Sequence, residues 1–126
     1  MERNLNIKRC SSCGAMVKIL KDCECDNCGI KCCGKEMETL IPNSVDASFE
    51  KHIPQIERIE DEVYVKVPHP MEKDHFIEWI SQVSDNKEET VYLYPEGPAE
   101  TRFKYIPKAS IYAYCNKHGL WKIDVE

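Results

Sequence analysis

Four histidines are all the chain contains, and the settings of His52, His69, His75 and His118 suit a metal ion. Two lie in proline-stiffened segments, Lys51-His52-Ile53-Pro54 and Pro68-His69-Pro70. Proline fixes its own backbone and restricts the residue before it, so such loops hold side chains at low entropic cost. His118 follows Cys115 at a Cys-x-x-His spacing, which lets one turn aim a thiolate and an imidazole at the same ion. Four imidazoles and one thiolate do not match a four-coordinate structural zinc site. Soft sulfur set against several nitrogens, with a position left open, points to redox iron.

These side chains need elements to hold them, and the sequence between them reads as β-structure. Glu62-Val63-Tyr64-Val65-Lys66-Val67 puts three valines on one face. Phe76–Ile80, Thr90–Tyr94, Thr101–Ile106 and Ser110–Tyr114 are β-branched and aromatic in the same manner. Short strands at roughly 10-residue spacing, broken by Asp85-Asn86-Lys87 and Pro95-Glu96-Gly97-Pro98, predict an antiparallel sandwich or barrel. No 3.6-residue periodicity predicts a helix. The ligands then come from three places: the 50–54 loop, the 68–75 loop with a strand beginning at His75, and the 115–118 turn. Phe76, Trp79 and Ile80 are expected to supply packing, and Trp79 and Trp121 read as core.

Seven of the eight cysteines fall within the first 33 residues, leaving Cys115 alone near the end. The opening Met1-Glu2-Arg3-Asn4-Leu5-Asn6 is polar, and no run approaches the ~20 apolar residues of a membrane span. Without an export signal, paired CxxC units favour metal over disulfides and a cytoplasmic location. The cysteine-rich segment gives way near Leu40-Ile41-Pro42-Asn43-Ser44, which reads as a linker. The expected division is a small metal-binding domain over 1–40 and a β-domain over 41–126. The net charge is −5, with no basic block, which argues against nucleic acid. An anionic substrate would need positive charge placed locally, and Lys51, Lys73 and Lys117 adjoin the histidine segments.

At these residues the chain resembles the superoxide reductases of the desulfoferrodoxin family. The resemblance runs through Glu50-Lys51-His52-Ile53-Pro54, through Pro68-His69-Pro70-Met71-Glu72-Lys73-Asp74-His75 to Ile80, and through Tyr114-Cys115-Asn116-Lys117-His118-Gly119-Leu120-Trp121-Lys122. Cys10-Ser11-Ser12-Cys13-Gly14 and Cys32-Cys33-Gly34-Lys35-Glu36-Met37 resemble the desulforedoxin-like module of the two-iron members. The resemblance implies an all-β, immunoglobulin-like antiparallel β-sandwich with a small amino-terminal cysteine-rich domain. It implies iron held by equatorial His52, His69, His75 and His118 and by axial Cys115. It further implies one-electron reduction of superoxide to hydrogen peroxide, a rubredoxin-like electron donor and a homodimer. Glu50 and Lys51 occupy the places of a mobile pair over the open position: Glu50 as a ligand after oxidation, Lys51 as the group that attracts superoxide. The separation of His52 and His69 is shorter than is usual in the family, which reads as a trimmed hairpin.

The amino-terminal ligands stay open. Spacing pairs Cys10-x-x-Cys13-Gly14 with Cys25-x-x-Cys28-Gly29, two knuckles of the rubredoxin or zinc-ribbon kind. The resemblance pairs Cys10 and Cys13 with Cys32 and Cys33 instead, leaving Cys23, Cys25 and Cys28 as spare thiols or as ligands of a larger cluster. Four thiolates take iron or zinc, so spacing does not identify this second metal. Two other readings compete: a non-catalytic iron electron-transfer protein, and a zinc-ribbon interaction module fused to a β-sandwich. Neither accounts for four histidines and a cysteine in family order.

Overall fold

The computed structural model describes residues 3–25 and 29–126. Backbone contacts separate two compact units, Asn4–Ile41 and Pro42–Glu126. The smaller unit contains β1 (Ile7–Arg9), β2 (Met16–Lys18), β3 (Lys31–Cys32), β4 (Lys35–Glu36) and β5 (Glu38–Thr39). β1 lies between β2 and β5, antiparallel to both, while β3 and β4 form a separate hairpin. Leu5, Ile7, Cys10 and Met37 are buried. The β3–β4 hairpin turns on two residues, Cys33 and Gly34, both at positive φ (54° and 75°). That is the backbone of a tight hairpin whose twist matches the strands, and it is unusual for cysteine to accept it.

The larger unit holds α1 (Phe49–His52), β6 (Gln55–Ile59), β7 (Glu62–Lys66), β8 (Ile77–Val83), β9 (Glu88–Tyr92), β10 (Glu100–Lys104), β11 (Ser110–Cys115) and β12 (Gly119–Asp124). One sheet runs β10-β7-β6 and the other β12-β11-β8-β9, with every pairing antiparallel. The alternation of Glu62-Val63-Tyr64-Val65-Lys66 buries both valines. Val63, Val65 and Phe103 from the first sheet join Ile80, Ile111 and Ala113 from the second in one core. Interleaved inner faces make this an immunoglobulin-like sandwich.

One irregularity shapes the site. Tyr114 pairs with Trp79, but the next residue, Cys115, pairs with Ile77, so Glu78 is an extra residue in β8. A bulge of this kind restarts the inward-outward alternation. Ile77 and Ile80 therefore both reach the core, and Cys115 stays on the buried face with Ile111 and Ala113.

Several elements differ from the sequence-based expectation. α1 is a single helical turn, too short to show a periodicity. His75 does not begin a strand; it lies in the bend before β8, which starts at Ile77. β12 escaped notice because most of its residues were read as part of a ligand motif, and β6 was not singled out as a strand within the expected hairpin between His52 and His69. No described helix is long and apolar enough to cross a membrane.

Ile80 is fully buried between the sheets. Ile80→Ala should cost about 2–5 kcal/mol, read by denaturant unfolding of the metal-free chain, and a smaller loss would show that the sheets close over the gap.

Candidate metal centres

Two groups of ligand atoms converge among the described residues: His52, His69, His75, Cys115 and His118, and Cys10, Cys13, Cys32 and Cys33. Within each group the ligand atoms lie within 4.8 Å of one another. The histidine rings meet in a closed cycle. His52 touches His69 (centroids 4.7 Å), His69 touches His75 (4.6 Å), His75 touches His118 (5.0 Å) and His118 returns to His52 (4.9 Å). Four donors in a tetrahedron would all be mutual neighbours; a cycle of four neighbours is a square. Cys115, fully buried at the end of β11, places Sγ 3.5 Å from His69 Nε2 and 3.8 Å from His118 Nδ1.

Backbone carbonyls set the tautomers. His52 Nδ1–H donates to the Ser48 carbonyl (2.7 Å) and His69 Nδ1–H to that of Pro70 (2.5 Å). Both rings therefore turn Nε2 inward as the ligand atom, oriented as metal-bound histidines usually are. His118 instead offers Nδ1, 3.1 Å from His52 Nε2. Adjacent nitrogens about 2.1 Å from a shared ion, at a right angle, would lie about 3.0 Å apart. Trp121 is more than core: its ring stacks on His52 at 4.8 Å, and its Nε1–H donates to the His118 carbonyl (3.1 Å).

The donor set fits iron. His75 Nε2 is buried with no hydrogen-bond partner, an arrangement that is costly unless a cation takes the lone pair. Burial lowers the pKa of His69 to about 4 and that of His52 below its usual range, so both stay neutral ligands. Burial raises the Cys115 thiol, opposed by the amides of Lys117 and His118, so its thiolate calls for a positive partner. A square of imidazoles with one thiolate is a redox-iron set rather than a tetrahedral zinc set.

The second cluster is all sulfur. Cys13 and Cys32 Sγ atoms lie 3.6 Å apart, and those of Cys32 and Cys33 3.9 Å. Sulfurs about 2.3 Å from a common centre form a tetrahedron with edges of about 3.8 Å. The Cys10 thiol falls to about 6, chiefly through the amides of Cys13 and Ser12, while Cys32 is pushed up to about 12 by hydrogen bonds with Cys13 and Cys10. The first thiolate forms easily and the next resists, as expected of sulfurs awaiting a cation. Cys25 is a free, exposed thiol outside the cluster, and Cys28 lies outside the described residues. Cys23 is disulfide-bonded, so it is neither a spare thiol nor a ligand of a larger cluster. Four sulfurs complete the tetrahedron without it.

Glu50 and Lys51 sit on α1 immediately before His52, and both are exposed. The Glu50 carboxylate is not gathered into the five-donor cluster.

Comparison with known proteins agrees with this geometry. A family model described as Desulfoferrodoxin matches residues 44–124. A desulfoferrodoxin of Syntrophotalea carbinolica is 39% identical over 128 residues, covering 98% of this chain and 99% of its own. A superoxide reductase of Pyrococcus horikoshii is 31% identical over 115 residues, covering 66% of this chain and 92% of its own. The crystal structure of the superoxide reductase from Treponema pallidum matches with a TM-score of 0.73 at 26% identity, covering 96% of this chain and 99% of that one.

The metal-free chain should show a stability plateau. His52 and His69 have folded values below the ordinary 6.5, so the unfolded state binds more protons as pH falls from about 6.5 towards 4, and stability drops. Cys115 is raised above 9.0, so the unfolded state releases its proton first as pH rises past that value, and stability drops again. Urea midpoints across pH 4–10 check this; no decline below pH 6 would mean that the buried rings are not held neutral. A Cys25→Ser, Cys28→Ser double variant should keep the metal of the sulfur cluster, measured per chain by elemental analysis. Loss of one metal would restore the knuckle pairing suggested by spacing.

Proposed function

The chain belongs to the desulfoferrodoxin family, and on that premise we propose that its five-donor cluster reduces superoxide to hydrogen peroxide. The observation that carries this reading is the cycle of four imidazoles gathered with one buried thiolate. Reduction consumes one electron and two protons and releases no oxygen. Iron bound by the cluster supplies that electron.

The chain supplies the rest. As ligands, the imidazoles of His52, His69, His75 and His118 would add no negative charge, so the centre would stay attractive to an anion. Cys115, held in the core, would donate charge to the iron and so help the product leave, tempered by the Lys117 and His118 amides that face its sulfur. Lys51 draws superoxide into an otherwise acidic protein and orients the water that delivers protons. Glu50, beside it on α1, is the carboxylate that would serve as a further ligand to oxidised iron. Electrons come from a rubredoxin-like donor. The sulfur cluster holds iron or zinc with no position for substrate, and serves as relay or support. We place the protein in the cytoplasm as a homodimer. A purely electron-carrying role suits the sulfur cluster but leaves the five-donor cluster without a purpose.

Pulse radiolysis of the iron-loaded, reduced protein tests this reading. Superoxide should be consumed in a bimolecular step that yields peroxide, and oxidation should turn the protein blue through thiolate-to-ferric charge transfer. Lys51→Ile should slow capture about tenfold and flatten its salt dependence. Glu50→Ala should leave capture alone and change only the ferric spectrum. A protein that holds iron yet ignores superoxide would sink the reading.

A further inference from the structure

Asn116 stands between two members of the five-donor cluster in sequence, directly after Cys115 and two residues before His118, and is itself no ligand. Its side chain reaches across to the segment that carries His75. Asn116 Nδ2 donates to the Asp74 carbonyl (3.0 Å), and its Oδ1 accepts the Phe76 amide N–H (3.0 Å). Its own backbone N–H donates to the Phe76 carbonyl (3.2 Å). Three bonds thus grip the chain on both sides of His75.

His75 needs this grip more than the other histidines do. The rings of His52 and His69 are anchored through Nδ1 to backbone carbonyls, and His118 lies in the tight turn between β11 and β12. Among the described residues no carbonyl anchors the ring of His75, and its Nε2 is buried without a partner. The β8 ladder begins two residues later, at Ile77, so it does not hold His75. The remaining backbone bond at this residue runs from the Glu72 N–H to the His75 carbonyl (3.0 Å).

We propose that Asn116 is a positioning residue of the metal centre: its side-chain amide locks residues 74–76 to the Cys115 turn and so sets the His75 ring against Cys115 and the neighbouring imidazoles. An amide suits the task because it presents one acceptor and one donor in a single plane, matching the N–H and C=O of the backbone it grips. Aspartate can replace only the acceptor. Leucine, of similar size, replaces neither. The inference rests on the cluster's being a metal centre and does not depend on superoxide as its substrate.

The test uses the full chain loaded with iron at both centres, with release to a ferrous chelator followed anaerobically. Asn116→Leu should lose iron from the five-donor centre about tenfold to a hundredfold more readily, the usual cost of removing a residue that orients a ligand. Asn116→Asp should fall between Leu and wild type, and the thiolate-to-iron band should shift in both variants. Iron in the sulfur cluster should be unaffected, which separates positioning from general unfolding. Wild-type retention and spectrum in Asn116→Leu would overturn the proposal, as would equal losses from both centres. If Asn116→Leu does not fold, wild-type behaviour of Asn116→Asp overturns it. Tight iron binding without superoxide consumption would count against the proposed activity and leave this inference standing.

Discussion

Cys115 ends β11 on the buried face of the sandwich, and its pairing with Ile77 across the bulge in β8 decides how near the ligand-bearing segments come to one another. Without the extra residue Glu78, the inward alternation of β8 would continue through Ile80 and point Ile77 away from the core. The segment before it, carrying His75, would then leave the sheet in another direction. β12 begins at Gly119, so the turn from Cys115 back into the sheet carries His118 with it. Gly119 takes φ +83°, and a Cβ there would stand 3.1 Å from the Val45 side chain. The turn therefore needs glycine for its backbone and for the space beside it.

The two clusters solve different electrostatic problems. In the sandwich, burial keeps the His52 and His69 imidazoles neutral and the Cys115 thiol protonated until a cation arrives. Metal binding there releases a proton and satisfies the orphaned His75 nitrogen at the same time. In the small unit, four sulfurs are packed close enough to resist joint ionisation. The first set has five donors and suits chemistry; the second closes a tetrahedron and suits storage or passage of an electron. Adjacent ligands in the second set depend on Cys33 accepting a left-handed backbone.

Much of the candidate site was legible in the residues themselves. Histidine and cysteine are scarce and chemically specific, so their clustering in three stiff or tightly turned segments pointed to a metal before any fold was considered. The alternation in Glu62–Val67 and the turn residues between apolar runs disclosed a β-sandwich, because side chains two apart share a face of a strand. Adjacent cysteines next to a glycine were harder to read, since an ordinary Cys-x-x-Cys knuckle elsewhere offered a competing partner.

What the sequence determined alone was the inventory: which groups could ligate, which strands could bury a face, and which lysines adjoin the histidines. Tertiary structure decided their arrangement. The cycle of imidazoles, the approach of His118 Nδ1 to His52 Nε2, and the stacking of Trp121 on His52 all depend on contacts between segments distant in the chain. The same holds for the Asn116 clasp, whose partners lie about 40 residues away. Local pattern records the face on which a side chain lies; it carries no record of what another strand places opposite, because register and bulges are settled by packing across the sheet.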